Sequence, residues 1–213
     1  MADELVLYTN PMSRGRIARW MLEETGVSYR TERLEYGTTM KAAAYLAVNP
    51  MGKVPAIRHG EVVVTEAAAI CAYLADAFPE AGLAPPSGAR GDFYRWLFFA
   101  AGPVEAAVSN RFLGLEVPED KEAMMGYGTY AAVLDTLEKA VSGDGYVAGE
   151  RFSAADVYVG SHIGWGLQMG SIEKRPAFSE YWSRLAGREA YRRAGELDDA
   201  LLAERGASGG GPA

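Results

Sequence analysis

The chain has 213 residues, of which 49% are hydrophobic; 21 are basic and 28 acidic, giving a net charge of −7. That length supports one large domain or two small ones with a substantial core, and the acidic balance (pI about 5.0) excludes a general nucleic-acid binder while leaving room for a local anion site. The single cysteine, Cys71, excludes an internal disulfide and a Cys-x-x-Cys redox or zinc pair within one chain.

Residues 4–8 read as a short buried strand. A helix over 17–25 follows, with Ile17, Met21 and Leu22 on one face and Gly26 as its stop. Val27, Tyr29, Thr31 and Leu34 suggest a second strand within 27–36. Residues 37–39 turn, and an alanine-rich helix spans 40–48 up to Asn49-Pro50. Strands at 54–58 and 61–65 flank a His59-Gly60 hairpin turn, and Thr65 is placed to cap a helix over 67–78. The order β-α-β-α-β-β-α describes a small layered α/β domain.

The Pro-, Gly- and Ser-rich stretch over 79–92 marks a linker. It sets domains at 1–80 and 92–205, with 81–91 between them and a flexible tail at 206–213. The second domain reads as helical throughout. One helix spans 92–115 with a kink at Gly102-Pro103, and a second spans 118–141 with Pro118 at its start. A third covers 153–169, a fourth starts at Pro176 and a fifth covers 189–204. Met1-Ala2-Asp3-Glu4 is acidic where a secretory leader is basic, and no apolar run approaches the ~18 residues of a membrane span. The expectation is a soluble, cytoplasmic protein.

Three local patterns carry a functional reading. Asn49-Pro50-Met51-Gly52-Lys53-Val54-Pro55 puts a proline at a strand start, where its missing N–H costs nothing. Thr65-Glu66-Ala67-Ala68-Ala69-Ile70, with Tyr73-Leu74 behind it, puts an acid at a helix N-terminus, where free N–H groups favour an anion. Phe152-Ser153-Ala154-Ala155-Asp156 opens a late helix with a capping box, aspartate standing where glutamate is usual. In this order, and across residues 4 to about 204, the chain resembles a cytosolic glutathione transferase of bacterial type.

The resemblance implies an α/β thioredoxin-like N-terminal domain followed by an all-α domain. It implies glutathione as co-substrate, no metal, and a two-fold homodimer. It implies a cis Val54–Pro55 bond, with the main chain of Val54 pairing with the cysteinyl part of the tripeptide. Glu66 would take the γ-glutamyl ammonium and the Ala67 N–H its carboxylate; the hydroxyl of the family's usual serine is absent here. Lys53 would meet the glycyl carboxylate, with Arg14 and Arg16 as other anion candidates. Each residue also has a plainer reading: Pro55 as a strand-edge terminator, Glu66 as a favourable first-turn acid, and the cations as solvated side chains.

The same resemblance places the thiol-activating group in or just before the first strand-to-helix turn, here Tyr8-Thr9-Asn10-Pro11-Met12-Ser13-Arg14. A hydroxyl donor aimed at sulfur favours the thiolate, and a helix N-terminus adds positive potential. Ser13 fits both, although a pure helix cap is the competing reading. Tyr8 and Asn10 are the alternative donors, and Arg14 or its N–H would assist. Arg14 occupies the place of a cysteine found in related bacterial proteins, which argues against a mixed-disulfide mechanism. The electrophile is expected between the domains, with Met12 on one wall and aromatics such as Tyr94, Trp96, Phe98 and Phe99 on the other, beside Arg111 and Tyr127 or Trp165. Cys71 reads as a buried inert thiol, and His59 and His162 lack metal spacing. The expected reaction joins the glutathione thiolate to small hydrophobic electrophiles. The alternatives are isomerase, dehalogenase or peroxidase chemistry at the same site, or a non-catalytic binding module.

Overall fold

A computed structural model describes residues 4–208 and separates them into two compact units. The first runs to Ala81 and takes up the chain again from Arg188; the second is Gly82–Gly187.

The first unit is built on a four-stranded mixed sheet of order β2-β1-β3-β4, comprising β1 (Leu5–Thr9), β2 (Arg30–Arg33), β3 (Ala56–His59) and β4 (Val62–Thr65). All five residues of β1 are buried, as befits a central strand covered on both faces. β1 pairs parallel with β2 and antiparallel with β3, and β3 pairs antiparallel with β4. The edge strands are short, and their side chains are partly or fully exposed. α1 (Gly15–Thr25) buries Ile17, Ala18, Trp20, Met21 and Leu22. It ends at Gly26, whose φ of 70° is the left-handed conformation glycine supplies without steric cost. α1 packs against β1 and against α3 (Ala67–Ala77). A separate cluster of Val6, Tyr8, Leu34 and Ala56 joins the sheet to Met40 and to Tyr45 of α2 (Ala43–Leu46).

The strand and helix order of this unit follows the sequence expectation, but three details differ. The second strand holds only four of the ten residues between 27 and 36. The helix expected over 40–48 is a 3₁₀ turn at 39–41 followed by a single turn of α2. Thr65 is the last residue of β4 rather than a cap; Glu66 occupies the N-cap position of α3.

The second unit contains α4 (Gly91–Phe99), α5 (Glu105–Phe112), α6 (Tyr130–Val141), α7 (Ala154–Met169) and α8 (Pro176–Ala186). A π-turn over 100–104 joins α4 to α5 and absorbs Pro103, so the expected kink takes the form of a widened turn. The helix expected over 118–141 is interrupted. A 3₁₀ segment covers 119–124, Gly128 takes φ 65°, and α6 starts afresh at Thr129, whose Oγ1 accepts the Ala132 N–H at 3.1 Å. The capping box at Ser153 and Asp156 forms as expected. The start of the linker is docked: Leu83 is buried, and its carbonyl accepts the Ala154 N–H at 2.8 Å.

The last helix, α9 (Glu189–Ser208), departs from the sequence boundary. The sequence groups it with a helical domain over 92–205, but α9 packs along α1 and clusters with the first unit. A buried ion pair carries this contact, Arg19 Nε to Asp198 Oδ1 at 2.8 Å. Of the tail expected at 206–213, residues 206–208 complete α9 and the remainder lies outside the described residues.

Candidate active site

Strand register decides which segments meet. Tyr8 lies opposite Ala56, and Ala56 opposite Thr65. Thr9 lies beside Arg33 in the parallel pair. One end of the sheet therefore gathers the loop leaving β1 (10–14), the loop leaving β2 (34–36), the entry to β3 (53–55) and the turn from β4 into α3 (66–67). The N-termini of α1 and α3 open at this same end, and each presents backbone N–H groups and positive potential there.

The loop at 10–14 is held by its own side chains. Asn10, almost fully buried, donates from Nδ2 to the Leu34 carbonyl at 2.7 Å and accepts the Met12 N–H at Oδ1, 3.0 Å. The Ser13 hydroxyl donates to the Asn10 carbonyl at 2.6 Å and accepts the Gly15 N–H at 2.9 Å. The second bond satisfies the first N–H of α1 from the residue just ahead of its N-cap, Arg14, which itself makes no side-chain cap bond. Arg16 Nε donates to the Pro11 carbonyl at 2.7 Å, and the Tyr36 hydroxyl donates to the Met12 carbonyl at 3.2 Å. Three successive carbonyls of the loop are thus each taken by a side chain.

Gly15 is a steric requirement of this turn. A Cβ there would lie 1.9 Å from Thr9 Oγ1, an atom buried at the end of β1. Gly15→Ala is expected to displace the loop, lowering the thermal midpoint by several degrees and glutathione turnover by about tenfold or more. Differential scanning fluorimetry and initial rates check this, and wild-type values in both would show the turn tolerates a side chain.

Val54–Pro55 is cis. The residue ahead of it is held from below: the Lys53 carbonyl accepts from the Tyr45 hydroxyl at 2.6 Å and from Asn49 Nδ2 at 2.8 Å. Burial pushes the Tyr45 hydroxyl up to about 12, so it remains a donor at neutral pH. Asn49 Oδ1 also accepts the Met51 N–H at 3.1 Å. Lys53 and Arg14 are exposed. Glu66 has φ 66° and ψ 121°, the only non-glycine residue with positive φ among the described residues. Backbone strain of this kind is concentrated at ligand-binding positions. Glu66 itself is exposed, whereas Ala67 is buried at the first turn of α3.

Ser13, Lys53, Val54, Pro55, Glu66 and Ala67 therefore share one end of one sheet. Tyr8 is packed in the core with its ring centroid 5.6 Å from that of Tyr45, and Asn10 is engaged at both ends of its amide. Arg16, a candidate anion ligand by sequence, instead bonds the loop and Asp199 of α9. In the second unit, Trp96 is buried, Tyr94 and Phe98 are exposed, and Arg111 stacks over Tyr130 at 4.4 Å. Tyr127 accepts a hydrogen bond from Asn110 at 2.8 Å. The sequence reading missed Tyr36, Tyr45 and Asn49. Only Asn49 carries a signal in the sequence, as a helix stop and as the first residue of the Asn49–Pro55 pattern, but neither gives its side chain a partner.

Comparison with known proteins identifies the family of this fold. Residues 3–76 match the family model for the glutathione S-transferase N-terminal domain, and residues 98–189 match that for the C-terminal domain. Glutathione S-transferase GstA of Escherichia coli O157:H7 is 30% identical over 185 residues, covering 84% of each chain. The chain belongs to the glutathione S-transferase family. It is a transferase, with the family's two-part fold. A glutathione transferase from Methylococcus capsulatus is similar in structure, with a TM-score of 0.75 and 31% identity over 92% of this chain and 99% of the other. A sphingomonad glutathione S-transferase complexed with glutathione has a TM-score of 0.71 and 28% identity, over 91% and 98% of the two chains.

Proposed function

We propose that this glutathione transferase conjugates the glutathione thiolate to small hydrophobic electrophiles, with Ser13 as the thiolate-stabilising hydroxyl. One observation carries the reading. Ser13, the Val54–Pro55 segment and Glu66 leave the same end of the sheet, where two helix N-termini also open. The main chain of Val54 binds the cysteinyl unit as an added strand, and the Glu66 carboxylate binds the γ-glutamyl ammonium. The Ala67 N–H takes the γ-glutamyl carboxylate at the α3 N-terminus. Lys53 and Arg14, both exposed cations, supply charge for carboxylates at the rim.

Ser13 needs no displacement to act. Its Oγ stays bonded to the Gly15 N–H while the hydroxyl hydrogen swings from the Asn10 carbonyl to the bound sulfur. The thiol gives its proton to solvent, and the anion is held by this donor and by the helix N-terminus. The thiolate then forms a C–S bond, and the leaving group departs with the electron pair. Tyr8 and Asn10 are both buried while Ser13 is half-buried, which favours Ser13 over the other two candidates. The side chains of Met12 and Tyr36 are exposed at this sheet end, where the Tyr36 hydroxyl donates to the Met12 carbonyl, and they suit an apolar co-substrate. A cytoplasmic setting suits a glutathione-dependent enzyme with one buried cysteine.

Calorimetric titration with glutathione tests the binding half of the proposal. Glu66→Gln is expected to weaken glutathione about tenfold or more, as loss of one charge-assisted bond implies. Absence of binding by the wild type, or equal affinity in the variant, would reject the assigned pose.

A further inference from the structure

We propose that Arg16 is a positioning residue for the Ser13 loop, and that the C-terminal helix α9 holds it in place through Asp199. The proposal rests on the reading that this loop carries the thiol-activating group.

Each of the three loop carbonyls has a different donor: Ser13 within the loop, Tyr36 from the loop after β2, and Arg16 from α1. Arg16 carries the tie onward. While Nε bonds the Pro11 carbonyl at 2.7 Å, Nη2 bonds Asp199 Oδ1 at 2.6 Å. The guanidinium is planar, so fixing Nη2 fixes the direction in which Nε points. Pro11 follows the buried Asn10 and lies two residues before Ser13, so a shift of its carbonyl moves the hydroxyl that faces the thiol.

Asp199 is itself 68% exposed, and an exposed pair contributes little to stability. Its backbone, however, is fixed. The adjacent Asp198 is fully buried against Arg19, the Leu201 carbonyl accepts from Arg33 Nη1 at 2.8 Å, and Arg188 grips Glu24 with bonds of 2.6 and 2.7 Å. Asp199 therefore presents its carboxylate from a rigid rail, and the contact serves orientation more than folding. Residues 183 positions apart in the chain are thus joined next to the catalytic turn.

The test combines Asp199→Ala, Asp199→Glu, Arg16→Lys and the double variant Arg16→Lys/Asp199→Ala in the full-length enzyme. Lysine keeps the charge but lacks the second arm of the fork. Asp199→Ala and Arg16→Lys are each expected to lower kcat about 3- to 10-fold, with KM for glutathione within about twofold and the thermal midpoint within about 2 °C of wild type. The double variant should be no worse than the worse single one, because both cut the same tie. Asp199→Glu should recover at least half of the lost kcat. Wild-type kcat in Asp199→Ala, or strictly multiplicative losses in the double variant, would overturn the brace. Ser13→Ala in the same assay separates the two readings. If it retains full turnover, the role of Ser13 fails while the non-additivity still decides the brace. If it is impaired while Asp199→Ala is normal, only the brace fails.

Discussion

Ser13→Ala is expected to lower turnover at saturating glutathione by about 10- to 100-fold while leaving KM for glutathione within about twofold. The split follows from where the hydroxyl acts. Binding of the tripeptide is assigned to the Val54 main chain, Glu66 and the α3 N-terminus, none of which the substitution touches. The hydroxyl instead favours the charged form of the thiol, whose ordinary pKa is about 8.5. A donor to the anion lowers that value, so removing it moves the acid limb of the rate profile to higher pH. The α1 N-terminus remains in Ser13→Ala and continues to favour the anion, which is why the expected loss is not larger. The variant also frees the Gly15 N–H and the Asn10 carbonyl. A thermal scan alongside the kinetics is therefore needed to separate a stability loss of about 1 kcal/mol from these loop bonds from a catalytic one. Unchanged turnover would assign thiolate stabilisation to another group.

The sequence carried the fold far because its signals were local. A buried apolar run, a glycine helix stop and a proline at a strand start each act within a few residues, and β1, α1 and the entry to β3 followed from them. The capping box was equally legible, since its two members lie three positions apart. What escaped was decided at long range. α9 reads as one more helix of a helical domain, and it is side chains far apart in the chain, Arg19 with Asp198 and Arg16 with Asp199 among them, that tie it to α1. Arg16 looked like one of several cations near a turn; its role depends on a carboxylate that no spacing rule connects to it. Tyr45 and Asn49 both reach the Lys53 carbonyl, a contact that is close in sequence but set by how the chain turns into the cis Val54–Pro55 bond rather than by either residue's propensity. At the proposed site, the resemblance to the family pointed to Ser13, Val54–Pro55 and Glu66, and the sheet order brings these segments to one end. The positive φ of Glu66 was not legible, because nothing in its side chain favours that conformation.

Asp156→Ala is expected to destabilise the second unit by about 3–5 kcal/mol, read as a lower urea midpoint at unchanged slope. Asp156 is fully buried, and its two oxygens accept four bonds: Val147 N–H at 2.8 Å, Tyr181 hydroxyl at 2.7 Å, Ser153 N–H at 2.9 Å and Ser153 hydroxyl at 3.0 Å. Alanine strands these donors, several of them deep in the unit, and opens a cavity where the carboxylate was. The carboxylate joins the start of α7, the chain before it and Tyr181 of α8, so one substitution loosens three segments at once. The same residue gives a pH dependence of defined sign. Burial raises its carboxyl above the usual aspartate range, against the opposing pull of the Tyr181, Val147 and Ser153 donors. In the unfolded chain it titrates near the ordinary value of about 3.9. The native state thus binds more protons between those two values. The stability that Asp156 contributes through this linkage is full below the unfolded pKa and is lost as pH rises through the folded one. Asp156→Asn removes the titration. Relative to that variant, the wild type should lose stability as pH rises across the window and then hold a constant difference at higher pH. A difference that instead grew in favour of the wild type across the same range would mean that the four donors outweigh burial and the carboxylate is the preferred native form.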